Sequence, residues 1–377
     1  MRICHVITKP ELGGAQLSTL NILANLPKDK CELFFVTSSE GILKSEFKGL
    51  KGVRSFFSPF LVRQINPLYD ILALIHIYLI YIRYGVSLAH THSSKAGIIG
   101  RWAAKFAGVP RIVHTVHGWS FNDYQPLAVR KIFIFLERIT AVFTTRIICV
   151  SKRDMEIGIK YNIAPKEKFA LIKYGVSLTD FQVSPVKNSK KREELGIRNN
   201  DPVIGMIACL KPQKSPLDYI NAAINIYAKI PNVNFLLVGD GVLREKCKRA
   251  LAVSSLNGRF ILTGWRRDVS EIMDILDIVV LTSKWEGMPI AIIEALSKGC
   301  PVVATNAGGT PELLKDSITG YLTRPGAPQE ITDRVLEMLS NPERLLKMKQ
   351  EAALSIGPSF GIDRMVSEVE SLYRGSI

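Results

Sequence analysis

The sequence contains no apolar stretch long enough to cross a membrane. Its longest uncharged apolar run is Ile71 to Ile82, whereas a helix that spans a bilayer needs about 20 residues. The six cysteines show no CxxC spacing and lie mostly in apolar runs, which argues against a disulfide framework and favours a reducing compartment. The N-terminal MRICHVITKPELGG lacks the extended apolar region of a signal peptide. Together these absences favour a cytoplasmic protein.

The sequence also lacks short repeats, low-complexity tracts and the GxGxxG dinucleotide fingerprint. Hydrophobic residues make up 47% and charged residues 22% of the chain, which are globular values and exclude wholesale disorder. A length of 377 residues exceeds what one hydrophobic core usually supports, so two domains are expected.

Acidic residues are scarce in the first half of the chain. The 49 Lys and Arg against 34 Asp and Glu give a formal charge of +15, and residues 1–180 hold 24 of the basic but 12 of the acidic side chains. The bias is strongest from Arg83 to Arg153. Such a patch is typical of proteins that bind phosphate, nucleic acid or an anionic membrane, although a merely soluble basic surface is the alternative.

Short apolar runs alternate with longer amphipathic segments along the whole chain. This pattern predicts βαβ units and parallel sheets covered on both faces, an α/β fold of two Rossmann-like doubly wound domains. The expected strands are Ile3–Thr8, Leu33–Thr37, Leu88–Thr91, Ile112–Thr115, Arg146–Val150, Val203–Ala208, Asn234–Val238, Phe260–Thr263, Ile278–Leu281 and Pro301–Thr305.

The polar, proline-punctuated stretch 177–201 is the expected break between the domains. We place the N-terminal domain at residues 1–180 and the C-terminal domain at 181–358. An amphipathic segment from Ile362 to Tyr373 follows. It could pack on either domain, and residues of about 359–377 are assigned to a helix that returns to the first.

Two segments of the first half follow predicted strands and carry candidate site residues. Gly13 and Gly14 join a strand to a helix, where small residues and free amides favour an anion, although a plain tight turn explains them equally well. In VHTVHG, His117 could bond a sugar or phosphate, with a structural loop histidine as the alternative. His90 and His92 raise the question of zinc, which the lack of nearby cysteine or acidic residues disfavours.

In the second half, Lys211 and Lys214 follow a predicted strand and suit a diphosphate, although alone they could be a solvated loop. The most informative block is EGMPIAIIEALSKGCPVVAT, in which Glu286 lies in a loop and Glu294 in a helix. These carboxylates could accept hydrogen bonds from the vicinal hydroxyls of a sugar or ribose. The intervening amides suit phosphate, near Gly287, Met288 and the early helical Pro289.

The chain resembles the family 4 glycosyltransferases of the GT-B fold over essentially its whole length. The resemblance rests on LGGAQ, VHTVHG, YGVSLTDF, LKPQK, VGDG, LTGWRRDV and above all EGMPIAIIEALSKGCPVVAT. It implies two domains that face one another across a cleft. It also implies a retaining enzyme that moves a hexose or N-acetylhexosamine from a UDP- or GDP-sugar, as in polysaccharide or lipopolysaccharide biosynthesis.

The resemblance also implies roles for particular residues. His117 would lie beside the donor sugar and Glu286 would contact its hydroxyls, so these two are the candidate catalytic residues. The candidate donor-binding residues are Gly13, Gly14, Lys211, Lys214, Arg266, Gly287, Met288, Pro289 and Glu294. Members of the family generally need no metal, and no protein nucleophile is implied. The C-terminal domain would bind the nucleotide-sugar and the N-terminal domain the acceptor.

One departure from the family pattern concerns the phosphate site. The position five residues before Lys214, where the family commonly has arginine, is Cys209, and a thiol cannot replace a guanidinium. Lys211 could substitute. Tyr174 also stands where the family often has asparagine, which we interpret as minor. A same-fold epimerase or hydrolase, or a non-catalytic sugar-nucleotide-binding protein, remains an alternative.

The basic N-terminal half indicates which kind of acceptor the protein uses. Segments Pro67–Tyr84 and Val129–Arg146 combine apolar and basic residues, a pattern that favours anionic bilayer surfaces; ordinary buried helices are the alternative. The expected partner is a glycan on polyprenyl diphosphate, at the inner face of the cell membrane. No nucleic-acid module is present. The residues expected to meet the membrane are Lys105, Arg111, Arg130, Lys131 and Arg138.

Overall fold

A computed structural model describes residues 1–183, 189–256 and 258–375. It divides into two compact units, Met1–Gly175 with Ile362–Ile377, and Val176–Gly361. Part of the expected linker, residues 184–188, lies outside the described residues. Among the helices of the described ranges, none is both long and apolar enough to span a bilayer.

The first unit is a seven-stranded parallel sheet with the order β3-β2-β1-β4-β5-β6-β7. Its strands are β1 (Arg2–Val6), β2 (Glu32–Ser38), β3 (Val53–Ser58), β4 (Leu88–His92), β5 (Arg111–Val116), β6 (Arg146–Cys149) and β7 (Phe169–Leu171). Its helices are α1 (Gly14–Asn25), α2 (Lys44–Gly49), α3 (Pro67–Arg83), α4 (Ser94–Phe106), α5 (Leu127–Ala141), α6 (Lys152–Lys160) and α14 (Ile362–Arg374).

The last helix, α14, belongs to the first unit because its apolar stripe is buried there. Met365, Val366, Val369 and Leu372 share one buried cluster with Ile22 and Leu23 of α1. The spacing of these α14 residues is that of one helical face. Arg364 fixes the start of the helix by donating to the backbone carbonyls of Lys173 at 3.0 Å and Tyr174 at 3.1 Å.

The second unit is a six-stranded parallel sheet with the order β10-β9-β8-β11-β12-β13. Its strands are β8 (Val203–Ile207), β9 (Asn234–Val238), β10 (Phe260–Gly264), β11 (Ile278–Leu281), β12 (Val302–Thr305) and β13 (Gly320–Thr323). Its helices are α7 (Ser189–Glu194), α8 (Pro216–Tyr227), α9 (Arg244–Ala252), α10 (Val269–Met273), α11 (Ile290–Ser297), α12 (Pro328–Ser340) and α13 (Pro342–Ser355).

All ten strands expected from the sequence form, with ends that differ from the expected ones by at most two residues. The three strands that the sequence did not predict are β3, β7 and β13, and each lies at the edge of its sheet. An edge strand is paired on one side only and needs no continuous apolar run. Accordingly β3 is only partly buried along its length, and β7 has three residues.

The strand order reverses once in each sheet, between β1 and β4 in the first unit and between β8 and β11 in the second. In open parallel sheets the loops at the carboxyl ends of the strands separate at such a point and leave room for a ligand. The residues after β1, β4, β8 and β11 are therefore the ones to inspect for a site.

Candidate functional site

In the first unit, the loop after β1 ends at Gly13, which precedes α1 with an extended backbone (φ −144°). This extended conformation does not require glycine. What glycine contributes here is the absence of a side chain rather than its backbone freedom. A Cβ built on Gly13 would lie 2.9 Å from Oε1 of Gln16 and would meet little else. Gly14 is the first residue of the helix.

His117 follows β5 and belongs to a network of hydrogen-bonded side chains. Its Nδ1 lies 2.5 Å from the Tyr174 hydroxyl, and its Nε2 lies 3.0 Å from Nδ1 of His92 at the end of β4. Desolvation lowers the pKa of His117 to about 3, so the ring is neutral at physiological pH. Tyr174, which the sequence did not mark as important, therefore contacts a candidate catalytic residue.

His114 lies inside β5 rather than at its end. Side chains alternate between the faces of a strand, so His114 points away from the face that carries Thr115. Its Nδ1 donates to the backbone carbonyl of Thr91 at 3.1 Å. A Cβ on Gly97 would lie 2.6 Å from its ring. His114 is a structural histidine packed under α4.

The zinc question centres on His5, His90 and His92, whose ring nitrogens lie within 4.8 Å of one another. Among the described residues this is the only such group of histidine, cysteine or acidic side chains. Each ring nitrogen already has a hydrogen-bond partner in the chain. A metal ion would have to replace those bonds, so the donor set does not fit a resident metal without rearrangement.

In the second unit, the loops after β8 and β11 meet through an ion pair. The Lys214 ammonium contacts the Glu286 carboxylate, and the two side chains are 17% and 6% exposed. Lys214 closes a short 3-10 helix, Pro212–Lys214, after β8. The sequence predicted both residues separately, and the structure brings them together at the point of strand reversal.

Hydrogen bonds to backbone carbonyls hold these two loops in a fixed position relative to each other. The Lys284 amide donates to the Gln213 carbonyl at 2.8 Å, and the Gln213 side chain donates to the Trp285 carbonyl at 2.8 Å. The Thr282 hydroxyl donates towards the carbonyls of Lys214 at 2.8 Å and Ser215 at 2.9 Å. Because both loops are tied at several points, the ammonium and carboxylate are held in place before any ligand binds.

A third loop, after β12, packs on the Glu286 backbone. Gly308 has a left-handed φ of +54°, and a Cβ there would lie 1.9 Å from the Glu286 carbonyl oxygen. The Gly309 amide donates to the Gly287 carbonyl at 2.7 Å. The absence of a side chain at Gly308 therefore lets this loop approach the neighbouring loop closely.

Glu294 lies in α11, one turn after the loop that carries Glu286. Its side chain is partly buried among apolar neighbours, and desolvation raises the pKa of its carboxyl to about 7. Among the described residues, no hydrogen bond or ion pair forms with this carboxyl. Such a group is costly to bury and is a candidate for ligand binding. Pro289 precedes the helix as its N-cap, one position before the expected one, and Met288 is buried beside it.

Arg266, a candidate donor-binding residue, forms ion pairs within the second unit. Its guanidinium donates to Asp268 at 2.7 Å and to Glu194 at 2.6 Å. Lys191 joins the same cluster by donating to Asp268 at 2.6 Å. The Arg266 guanidinium and the Lys191 ammonium hold the pKa of Asp268 well below its usual range. These ion pairs join Arg266 to other side chains of the second unit.

Cys209 and Lys211 lie in the loop after β8. Cys209 is the one cysteine that is partly exposed, and the other five are buried. The Lys211 amide donates to the Cys209 carbonyl at 2.9 Å. A tight turn therefore separates the thiol from the lysine that could supply the missing positive charge. Within the described residues, which include all six cysteines, there is no disulfide.

The close approach at Gly308 predicts a strong effect of a small substitution. Gly308→Ala should lower the free energy of unfolding by at least about 2 kcal/mol more than Gly326→Ala, because the new methyl overlaps the Glu286 carbonyl. Gly326 is the matched control, since it has a φ of +76° and nothing within 4 Å of its Cβ position. Chemical denaturation measures both. Equal losses would show that the two loops do not pack as described.

The raised pKa of Glu294 predicts a pH-dependent cost in stability. An unfolded glutamate titrates near pH 4.3, so as pH rises from there to about 7 the unfolded chain releases a proton that the folded chain keeps. Stability is lost over that window by up to about 4 kcal/mol. Glu294→Gln should be more stable than wild type above pH 7 and equal to it near pH 4. The exposed Glu343→Gln is the control, and a similar gain there would contradict the account.

Comparison with known proteins identifies the family. Residues 12–180 match the family model described as Glycosyltransferase Family 4, and residues 187–354 match the model described as Glycosyl transferases group 1. The UDP-Gal:alpha-D-GlcNAc-diphosphoundecaprenol alpha-1,3-galactosyltransferase of Escherichia coli is 35% identical over 376 residues, covering 99% of this chain and 96% of that protein.

Solved structures show the same fold. The HepE protein of Anabaena, in complex with UDP-glucose, superposes with a TM-score of 0.86 at 22% identity and covers both chains fully. The sucrose-phosphate synthase of Thermosynechococcus elongatus gives a TM-score of 0.84 at 18% identity, covering 100% of this chain and 98% of that one. The expected GT-B fold is thereby confirmed, and the chain belongs to the family 4 glycosyltransferases.

Proposed function

We propose that this glycosyltransferase moves a hexose, with retention of configuration, from a UDP-sugar to a glycan on polyprenyl diphosphate during cell-surface polysaccharide synthesis. The observation that carries the proposal is the 35% identity, over nearly the full length, to an enzyme whose name specifies UDP-galactose and GlcNAc-diphosphoundecaprenol. UDP-galactose is therefore the first donor to test.

The loops at the strand reversal of the second unit support a role in donor binding. Lys214 offers a cation for the diphosphate and Glu286 a carboxylate for sugar hydroxyls, and their ion pair keeps both charges compensated until a ligand arrives. Glu294, which has no partner among the described residues, would accept hydrogen bonds from the ribose diol. Gly287, Met288 and Pro289 connect the two carboxylates.

The charges in these loops are consistent with transfer that needs no metal. A nucleoside diphosphate brings negative charge that must be balanced in the site, and Lys211 and Lys214 supply two cations for this purpose. The leaving phosphate would accept the acceptor's proton, so no protein nucleophile is required. His117 and the Gly13–Gly14 loop belong to the first unit and would contact the sugar end of the donor.

The proposed reaction is tested with UDP-galactose and a synthetic GlcNAc-diphosphoryl polyprenol. The expected result is a product larger by one hexose, with an α-linkage visible by NMR, and activity that persists in EDTA. Release of UDP or of free sugar without acceptor would instead favour a hydrolase or an epimerase. UDP binding without product under any acceptor would favour a non-catalytic binding protein.

Lys214 and Lys298 provide a matched pair of variants for this assay. Both lysines form a largely buried ion pair in the second unit, Lys298 with Asp274 at 2.8 Å. Lys214→Met should reduce UDP affinity by about tenfold or more, because one charge-assisted phosphate contact is lost. Lys298→Met should lower stability only. Equal UDP affinities, measured calorimetrically, would remove Lys214 from the diphosphate site.

Exposed apolar residues on α3 support docking to a membrane. This helix buries Ala73, Ile77 and Ile80 against the sheet. Its opposite face is a continuous apolar stripe whose members are 45–64% exposed, namely Leu68, Ile71, Ile75, Leu79 and Ile82. A soluble surface rarely carries so long a stripe of large apolar side chains. This helix thus has the buried face that the alternative of an ordinary domain helix expects, and its outer face is apolar as well.

The neighbouring helices α4 and α5 extend the exposed apolar surface and add positive charge. Leu127, Ile132 and Phe135 of α5 are 57–64% exposed, and Phe106 at the end of α4 is 60% exposed. Lys105 and Lys131 are exposed among them. The other basic residues of the expected patch have partners inside the unit, since Arg111 donates to the Tyr373 carbonyl, Arg130 pairs with Asp123, and Arg138 donates to the Tyr161 carbonyl.

We therefore expect the first unit to bind anionic bilayers through α3, α4 and α5. The double variant Ile75→Glu with Leu79→Glu should abolish cosedimentation with phosphatidylglycerol vesicles, because it places two acidic groups in the apolar stripe. Leu354→Glu, at an 82% exposed site on α13, is the control and should bind as wild type does. Unchanged cosedimentation of the double variant would contradict the proposal that this surface binds the membrane.

A further inference from the structure

A continuous chain of hydrogen bonds runs from His117 into the core of the first unit. Nε2 of His117 bonds Nδ1 of His92 at 3.0 Å, and Nε2 of His92 bonds Nδ1 of His5 at 3.0 Å. Nε2 of His5 lies 3.1 Å from the hydroxyl of Tyr373, on α14. That hydroxyl also bonds Nδ1 of His90.

The chain ends at Thr115 on one side and at Tyr174 on the other. Nε2 of His90 lies 2.7 Å from the Thr115 hydroxyl, and Nδ1 of His117 lies 2.5 Å from the Tyr174 hydroxyl. Each histidine ring nitrogen thus has one hydrogen-bond partner, and every partner belongs to this same row of side chains. We call this set the histidine relay: Thr115, His90, Tyr373, His5, His92, His117 and Tyr174.

The strand geometry explains how so many polar groups share one face of the sheet. His90 and His92 are two residues apart on β4, so both side chains point to the same face. His5 of β1 pairs with His90, and Thr115 of β5 pairs with His92. This face is the one covered by α1 and α14, which brings the Tyr373 hydroxyl into the row.

The histidines of the relay are neutral, so each one carries a single ring proton. Burial lowers the pKa of His5 to about 3 and the pKa values of His90 and His92 well below their usual range. A neutral imidazole donates from one nitrogen and accepts at the other. Seven members with one proton each are joined by six bonds, and among the described residues the Tyr373 hydroxyl has no acceptor outside the relay. The members must therefore all donate in the same direction, and the last member keeps its proton for a partner outside the relay.

The Thr115 end sets that direction. The Thr115 hydroxyl is buried, and among the described residues its only hydrogen-bond partner is His90. If it accepted from His90, its own proton would have no acceptor, which is costly inside a protein. Thr115 therefore donates to Nε2 of His90. It follows that His90, His5, His92 and His117 all carry their proton on Nδ1.

We propose that the histidine relay fixes His117 as a neutral Nδ1–H donor, and that Tyr373, His5 and His92 are positioning residues of the reaction centre. Nε2 of His117 accepts from His92, so the ring cannot act as a base. Its Nδ1 proton is directed at the Tyr174 hydroxyl, and a ligand oxygen receives it only by taking the place of Tyr174. The oxygen that accepts this proton would be a donor-sugar hydroxyl or a phosphate oxygen. This consequence for the reaction rests on the proposed function, whereas the direction of the relay does not.

The relay is tested by ring-nitrogen NMR of the full chain labelled with ¹⁵N-histidine, with single His→Gln variants for assignment. Wild type should show protonated Nδ1 and unprotonated Nε2 at His5, His90, His92 and His117. Tyr373→Phe and Thr115→Val each remove one hydroxyl of the relay, so the His117 signal should become a mixture of both tautomers. Protonated Nε2 at His117, a cationic ring, or stoichiometric zinc on the purified protein would overturn the proposal.

Tyr81→Phe is the matched control, because Tyr81 is equally buried in the same unit and its hydroxyl has no partner in the described part of the chain. It should leave the His117 signal and the kinetics as in wild type. Tyr373→Phe should raise the KM for the donor by about tenfold with little change in kcat, because a bond made equally to bound donor and transition state is weakened.

A purely structural role of Tyr373 would give a different result. Loss of folded enzyme lowers the apparent kcat and leaves KM unchanged, so that outcome, or a Tyr373→Phe spectrum identical to that of Tyr81→Phe, would contradict the proposal. If no donor and acceptor pair gives product, the proposed function fails while the NMR result still decides the direction of the relay.

Discussion

The parallel alignment of the strands is the constraint on which both candidate sites depend. Parallel strands bring their carboxyl ends to one edge of each sheet, and the single reversal of strand order separates the loops there. In the second unit this brings Lys214 after β8 next to Glu286 after β11. In the first unit it brings His92, at the end of β4, next to His117, which follows β5. Residues distant in sequence thereby become neighbours without any long insertion.

Two kinds of polar group result from this arrangement, and they differ in whether they have hydrogen-bond partners within the protein. The histidine relay is satisfied internally, since each ring nitrogen has a partner within it. Glu294 has no such partner and keeps a raised pKa. A satisfied network gives rigidity, whereas an unpartnered carboxyl is costly until something binds it. This contrast is consistent with a fixed His117 in one unit and a ligand-binding carboxylate in the other.

The sequence predicted the central strands and the residues of the second-unit loops, because these depend on local apolar runs and on motifs such as EGMPIAIIEALSKGC. It did not predict edge strands such as β3, whose residues are only half buried. It also missed the relay, because His5, His92 and Tyr373 are joined by strand register and by the docking of α14 rather than by spacing along the chain. The period-two pattern AHTH was the one local signal. The pairing of Arg266 with Asp268 and Glu194 is likewise not indicated by any motif, and its expected role at the nucleotide stays a prediction.

The most direct measurement for the central claim is a crystal structure of the protein with UDP bound. The account predicts that the diphosphate lies against the loop of Lys214, with the Lys214–Glu286 ion pair opened, and that the ribose hydroxyls donate to Glu294. A nucleotide bound elsewhere on the second unit, with the ion pair intact and Glu294 still without a partner, would contradict it.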